Sequence, residues 1–172
     1  MCIRDRPQRE DWPNLNRESN EWKQVQAIQL MEEKGASVTV YASDVTDQAQ
    51  MSSIIKGIDT AQKPLRGIIH AAGLSDQHKL SQMTDQILES ILSPKTVGTW
   101  VLHQLTKEIN LDFFICFSSI GSVWGSLGHG HYDAANHFLN VLAYYRRSIG
   151  LPALCIIWGS LGVGAVSYTH LR

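Results

Sequence analysis

Three apolar runs constrain the fold more than anything else in the chain: PLRGIIHAAG at 64–73, LDFFICFSS at 111–119 and LPALCIIWGSLG at 151–162. Their apolar stretches are continuous, without the in-and-out alternation of a strand that has one wet face. Strands of that kind belong to a parallel sheet covered by helices on both faces. A fourth run, SVTVYASDVTD, is β-branched from Val38 to Tyr41, ends at Asp44 and starts a helix at Thr46/Asp47. Helical patterns separate the runs: about 21–34, closed by Gly35 as a C-cap, about 48–60, and about 84–109, interrupted at Ser93-Pro94. A Gly-rich loop at 121–130 precedes a last helix over about 132–148. Alternation of this kind is α/β, a doubly wound parallel sheet. Ligands of such sheets lie beyond the carboxyl ends of the strands, which here carry Asp44, His70 to Gly73, Ser118/Ser119 and Trp158/Gly159.

With 172 residues, 44% of them hydrophobic, the chain is large enough for one domain with a real core. Fifteen basic residues against sixteen acidic ones, scattered rather than clustered, exclude the electrostatic footprint of a nucleic-acid binder or of a protein drawn to an anionic membrane. No apolar run approaches the ~20 residues that span a bilayer, and a cytoplasmic protein is expected. Cys116 and Cys155 sit inside strand-like runs, so buried thiols are expected rather than a disulfide frame. The ends, MCIRDR at 1–6 and VSYTHLR at 166–172, resemble translated adapter read-through and are set apart from the fold.

The segment SSIGSVWGSLGHGHYDAAN, 118–136, concentrates the chemistry. Tyr132 and Asn136 are four apart at a helix start and share a face, and Ser119 ends a strand thirteen residues before the tyrosine. A serine hydroxyl can hold a carbonyl oxygen while a phenol donates a proton to it. A free phenol, with pKa ~10, needs a cation nearby to do so at neutral pH. Lys95, on the long helix expected beside the Ser119 strand, is the candidate. Each residue alone has a plain structural reading: a turn serine, a half-buried tyrosine, an exposed lysine, and Asp44 as a helix N-cap. Their joint spacing argues for a site. His70, and His129 with His131, lack a carboxylate or thiolate cluster, so no metal is expected.

Lys95, Ser119, Tyr132 and Asn136, together with GIIHAAG, SDVTD and IIWGSLG, resemble the ketoreductase domain of modular type I polyketide synthases. This family belongs to the short-chain dehydrogenase/reductase superfamily. Simple members carry Tyr-x-x-x-Lys; here Asn136 takes the fourth position and the lysine comes from the long helix, as in polyketide and fatty acid synthase ketoreductases. The resemblance covers about 7–165 and implies a Rossmann-like fold. It also implies that Ser119 orients the ketone, Tyr132 donates the proton, and Lys95 with Asn136 supports the tyrosine. NADPH would supply hydride, with Asp44 and Val45 near the adenine, His70, Ala71, Ala72 and Gly73 along the cofactor, and Trp158 and Gly159 beside the nicotinamide. The partners implied are an acyl carrier protein bearing a phosphopantetheine-bound β-ketoacyl chain and the other domains of a synthase.

Two elements of that pattern do not occur in the sequence: the Gly-rich turn that cradles a pyrophosphate, with its first βαβ segment, and the C-terminal lid with the last strand. An incomplete domain is therefore expected, one that binds NADPH weakly and aggregates through open strand edges when expressed alone. Two alternatives are a free-standing reductase, against which Tyr-x-x-x-Asn speaks, and a non-catalytic structural half-domain, which has no use for an intact catalytic set. The family's stereochemical markers also have counterparts. Ser75-Asp76-Gln77 replaces a Leu-Asp-Asp tripeptide, with Gln77 in place of the second aspartate, and Trp124 lies eight residues before Tyr132. Both imply the A-type, giving an L-hydroxyl, and His129 resembles the subgroup that takes an epimerised α-methyl substrate.

Overall fold

The computed structural model describes residues 9–60 and 62–159; the end segments 1–6 and 166–172 lie outside them. The chain divides after Asp44 into two compact units. In the N-terminal one, a 3-10 helix at Arg9–Asn14 accommodates Pro13, and α1 follows at Asn20–Glu33. The Ser19 side chain accepts from Trp22 N–H, which satisfies one of the free donors of the first turn. At the other end Gly35 takes φ 88, a left-handed conformation in which its N–H reaches Glu32 O at 2.9 Å. The expected strand at 38–41 forms no ladder. Its β-branched residues have no neighbouring strand among the described residues, so no ladder takes up their N–H and C=O groups, and the Arg9 guanidinium donates to Val38 O at 3.3 Å instead.

The second unit begins with α2, Gln48–Ile58. Its cap is Asp47, whose carboxylate accepts from Ala49 and Gln50 N–H at 3.0 Å, so the capping role expected of Asp44 belongs three residues later. Then come β1 (Gly67–His70), α3 (Asp85–Lys95), α4 (Val97–Thr106), β2 (Phe113–Ser119), the short α5 (Gly121–Trp124), α6 (Gly130–Ser148) and β3 (Leu154–Trp158). The three strands form one parallel sheet in the order β1-β2-β3. Because they are parallel, their last residues, His70, Ser119 and Trp158, lie on one edge.

The helix expected over 84–109 is two helices that meet at Thr96. Pro94 has no N–H to donate, and the break follows two residues later. Side chains take the carbonyls around it: Thr96 Oγ1 donates to Leu92 O, Thr99 Oγ1 to Lys95 O, and the His70 ring bonds Pro94 O at 3.1 Å. The expected loop at 121–130 contains α5, and α6 starts at Gly130 rather than Tyr132.

Phe114 and Cys116 turn one sheet face to a core with Ile55 of α2, Leu102 of α4 and Leu139 of α6. Coverage of both faces is corrected by the structure: on the other face Ile69, Phe113 and Leu154 remain exposed at 61%, 41% and 52%. The apolar runs are continuous because both faces are built for burial, yet the core of the second unit forms on only one of them. Cys116 is buried and Cys155 half-buried, and both are free thiols. Burial pushes the Cys116 thiol up to about 12, which leaves it inert at neutral pH. Among the described residues no helix is long and apolar enough to cross a membrane.

Candidate active site

The carboxyl edge of the sheet brings together residues from four elements. Lys95, the last residue of α3, is only 5% exposed and donates from Nζ to Phe117 O of β2 at 3.0 Å. The same Nζ lies 5.9 Å from the centre of the Tyr132 ring. Burial pulls the lysine below its ordinary pKa, which makes it a more willing proton donor than a surface lysine. Gly73 explains how so long a side chain fits. A Cβ on residue 73 would stand 2.6 Å from Lys95 Cε and 3.2 Å from Nζ, so any larger residue there would make the end of the lysine shift.

Tyr132 and Asn136 sit one helical turn apart at the start of α6. The Asn136 amide donates to Tyr132 O at 2.8 Å, and Ser118 Oγ donates to Asn136 O at 3.1 Å. Asn136 is fully buried, and its side-chain carbonyl Oδ1 has no partner. A buried acceptor without a donor is costly. Ser119 Oγ accepts from Gly121 N–H at 3.2 Å, a bond that fixes the oxygen and leaves the hydroxyl proton to be donated elsewhere.

The structure thus places Lys95 beside the Tyr132 ring and Asn136 one helical turn after that tyrosine, and hangs Ser119 on the same strand as the Lys95 acceptor. Ala71 and Ala72 are exposed at the end of β1, and Gly159 is exposed at the end of β3 with open space where a Cβ would stand. Trp158 packs edge-on to Phe117 at 5.4 Å, and its indole N–H is buried without a partner. Asp44 falls in the N-terminal unit. The Val45 side chain lies against Gly98 of α4, so only its backbone is left for a ligand.

His70 also has a task within the fold. It is 3% exposed, and burial first, then the neighbouring Lys95 charge, bring it down to about 4. A neutral ring therefore clamps Pro94 O and fixes the turn that presents Lys95. The sequence signal was a histidine at a strand end together with a proline before the lysine, legible only once β1 and α3 were known to meet.

Trp124, at the end of α5, is 80% exposed. The His129 ring stands edge-on to Tyr132 at 6.4 Å and its Nδ1 bonds Leu127 O. Gln77 packs on Gly128, a glycine with φ 77, and His78 N–H donates to Gly128 O at 2.9 Å. The segment after β1 is therefore latched to the loop before Tyr132.

Comparison with known proteins identifies this arrangement. The KR domain family matches residues 14–162. The chain is 42% identical over 131 residues to the polyketide synthase GfsE of Streptomyces halstedii, and 42% identical over 128 residues to the PKS-NRPS hybrid synthetase acdB of Aspergillus candidus. These matches cover 76% and 74% of the chain but 3% and 5% of the relatives. Among solved structures, the ketoreductase from the first module of phoslactomycin biosynthesis in Streptomyces sp. HK803 is similar with a TM-score of 0.80 at 32% identity, over 85% of this chain and 34% of that one. A structure described as an A1-type ketoreductase is similar with a TM-score of 0.77 at 33% identity, over 86% of this chain and 30% of that one. With the family matching residues 14–162 and relatives of this identity among polyketide synthases and solved ketoreductases, the chain belongs to the KR domain family, the ketoreductases of polyketide synthases.

Proposed function

We propose that these residues form the catalytic part of a cytoplasmic ketoreductase that reduces a β-ketoacyl thioester, carried on an acyl carrier protein, to the β-hydroxyacyl thioester. The observation that carries this reading is the placement of Lys95 Nζ, anchored on Phe117 O and 5.9 Å from the Tyr132 ring. A ketone gains two hydrogens on reduction. The carbon takes a hydride and the oxygen a proton, and this site is built for the second step.

The Ser119 hydroxyl, its oxygen already held by Gly121 N–H, donates to the ketone oxygen and sets its direction. The Tyr132 hydroxyl gives the proton, the O–H bond breaking as the new one forms, and the nearby Lys95 ammonium stabilises the phenolate left behind. Asn136 keeps Tyr132 in place through its amide, and its free Oδ1 takes the water through which Lys95 returns a proton to the phenolate. The small residues Ala71, Ala72 and Gly159 leave the strand ends open to a flat ring, which fits a nicotinamide cofactor, and the unpartnered Trp158 N–H offers a donor. NADPH, when bound along 71–73 and 158–159, supplies the hydride. Asp44 is proposed for the adenine end, with Val45 contributing through its backbone.

The product is proposed to carry an L-hydroxyl. Trp124 stands out from α5 beside the loop that leads to Tyr132, and Gln77 closes on Gly128 from the segment after β1. An indole there favours one approach of the pantetheine arm and hence one ketone face. Similarity to the structure described as A1-type, at 33% identity, supports the A-type reading, whereas the epimerised α-methyl substrate rests on His129 alone. The test is chiral chromatography of the product made from a β-keto thioester by the complete ketoreductase domain carrying these residues. An L-hydroxyl is expected, and a D-hydroxyl would refute the stereochemical part while leaving the reduction itself standing. The 172 residues alone are expected to bind NADPH weakly and to show no turnover, a point that calorimetry with NADPH decides.

A further inference from the structure

Asp133 is the residue after the tyrosine, and nothing in the mechanism above uses it. It is 8% exposed, a buried carboxylate in the first turn of α6. Its Oδ2 accepts from Ser126 N–H at 2.6 Å, and its Oδ1 from Ser126 Oγ at 3.4 Å. Its backbone N–H donates to His129 O, and His129 N–H donates to Ser126 O at 3.0 Å. The carboxylate also lies directly against Gly121, where a Cβ would collide with Oδ1 and come within 2.7 Å of Ser126 Oγ.

One buried side chain thus touches both ends of the segment that carries Trp124. Gly121 is the residue whose N–H holds the Ser119 oxygen, and Ser126 opens the turn that leads through Gly128 to His129. Between Gly121 and His129 the chain uses Gly125 and Gly128, with φ of 74 and 77, and so has little stiffness of its own. We propose that Asp133 is a positioning residue that fixes the 121–129 loop over the catalytic tyrosine and thereby sets substrate fit and face selection. A charge-assisted bond from a buried carboxylate to a backbone N–H is among the stronger hydrogen bonds available. It replaces the rigidity that the glycines give up. This rests on the proposed ketone reduction only for its consequence in specificity; the anchoring itself stands apart from it.

Two measurements separate the two claims. Amide hydrogen exchange on the complete domain reads the anchoring. Asp133→Ala is expected to speed exchange at 122–129 at least 10-fold while the β2 amides keep their protection, and Asp133→Asn, which keeps an acceptor oxygen, is expected to restore most of it. Gly121→Ala should reproduce the Asp133→Ala pattern, because its Cβ displaces the carboxylate, and it serves if the alanine variant of Asp133 does not fold. Unchanged exchange at 122–129 in either variant, or equal acceleration throughout, overturns the anchoring. In the complete domain, Asp133→Ala should raise KM for a β-keto thioester roughly 10-fold, leave the pH dependence of kcat in place and erode the ratio of product isomers, with Asp133→Asn close to the parent. A variant whose isomer ratio and KM match the parent overturns the role in specificity. Absence of any reduction by the parent domain overturns the ketoreductase reading and leaves the exchange result to judge the anchor.

Discussion

At the scale of single residues, each member of the site does a task that its neighbours make possible. Tyr132→Phe keeps the ring beside Lys95 and removes only the hydroxyl proposed as the proton donor. In the complete domain it is expected to lower the rate of ketone reduction by about 10²–10⁴ while NADPH affinity stays near the parent value, a pair of results read by steady-state kinetics and calorimetry. Lys95→Ala should move the pH–rate profile to higher pH, since the phenol then lacks its cation, and an unmoved profile would point to another cation. The histidines make a prediction about stability. His70 is held neutral, with its folded pKa near 4 against 6.5 for the free side chain, and burial lowers His103 and His131 in the same direction. A depressed folded value means that the unfolded chain takes up protons first. Stability is therefore full above about pH 6.5 and falls as the pH drops from there towards 4, with about 3 kcal/mol from His70 alone. Urea unfolding across that range checks it, and His70→Asn should flatten the slope.

Elements explain why those residues stand where they do. α6 is the central one: Leu139 and Ala135 are fully buried, and the helix packs on β2 while its first turn carries Tyr132, Asp133 and Asn136. Leu139→Ala is expected to cost about 2–5 kcal/mol, because Phe114, Cys116 and Leu102 surround the gap and cannot close it. A urea midpoint within error of the parent would show that α6 is not seated there. Further along the same helix Arg146 is fully buried, with Phe114 beneath its guanidinium at 4.0 Å, Pro152 O on Nε and His103 Nδ1 on one terminal nitrogen. No carboxylate is paired with it among the described contacts, so the ring nitrogen of a neutral His103 and the aromatic face take that place. The α3–α4 pair shows a second principle. A proline costs a helix its hydrogen bond, yet here the break frees Pro94 O for His70 and turns Lys95 into the sheet edge.

At the scale of the molecule, the open sheet face has the largest consequence. Ile69, Phe113 and Leu154 lie on the side opposite the Phe114–Cys116 core, and β1 and β3 are the edges of the described sheet. Exposed apolar strands with free edges are templates for association. The 172-residue chain is therefore expected to self-associate at micromolar concentration, and Ile69→Lys with Leu154→Lys should reduce light scattering markedly. A parent chain that stays monomeric at such concentrations would contradict this. The chain spans about a third of the solved ketoreductase chains it matches, and in the complete domain that face is expected to be covered.

The sequence by itself determined the parallel strands, because continuous apolar runs admit few other arrangements, and it determined the caps at Gly35 and the break near Pro94, which follow from φ preference and a missing N–H. Ser119, Tyr132 and Asn136 were legible because strand end and helix spacing are local. Tertiary structure decided the rest. Whether residues 38–41 become a strand depends on a partner that local pattern does not supply. That His70 meets Pro94 depends on where α3 lands, and whether Asp133 is a surface charge or a buried anchor depends on the loop folding back upon it. In each case the deciding contact lies between residues far apart in the chain, and no periodicity records a contact of that kind.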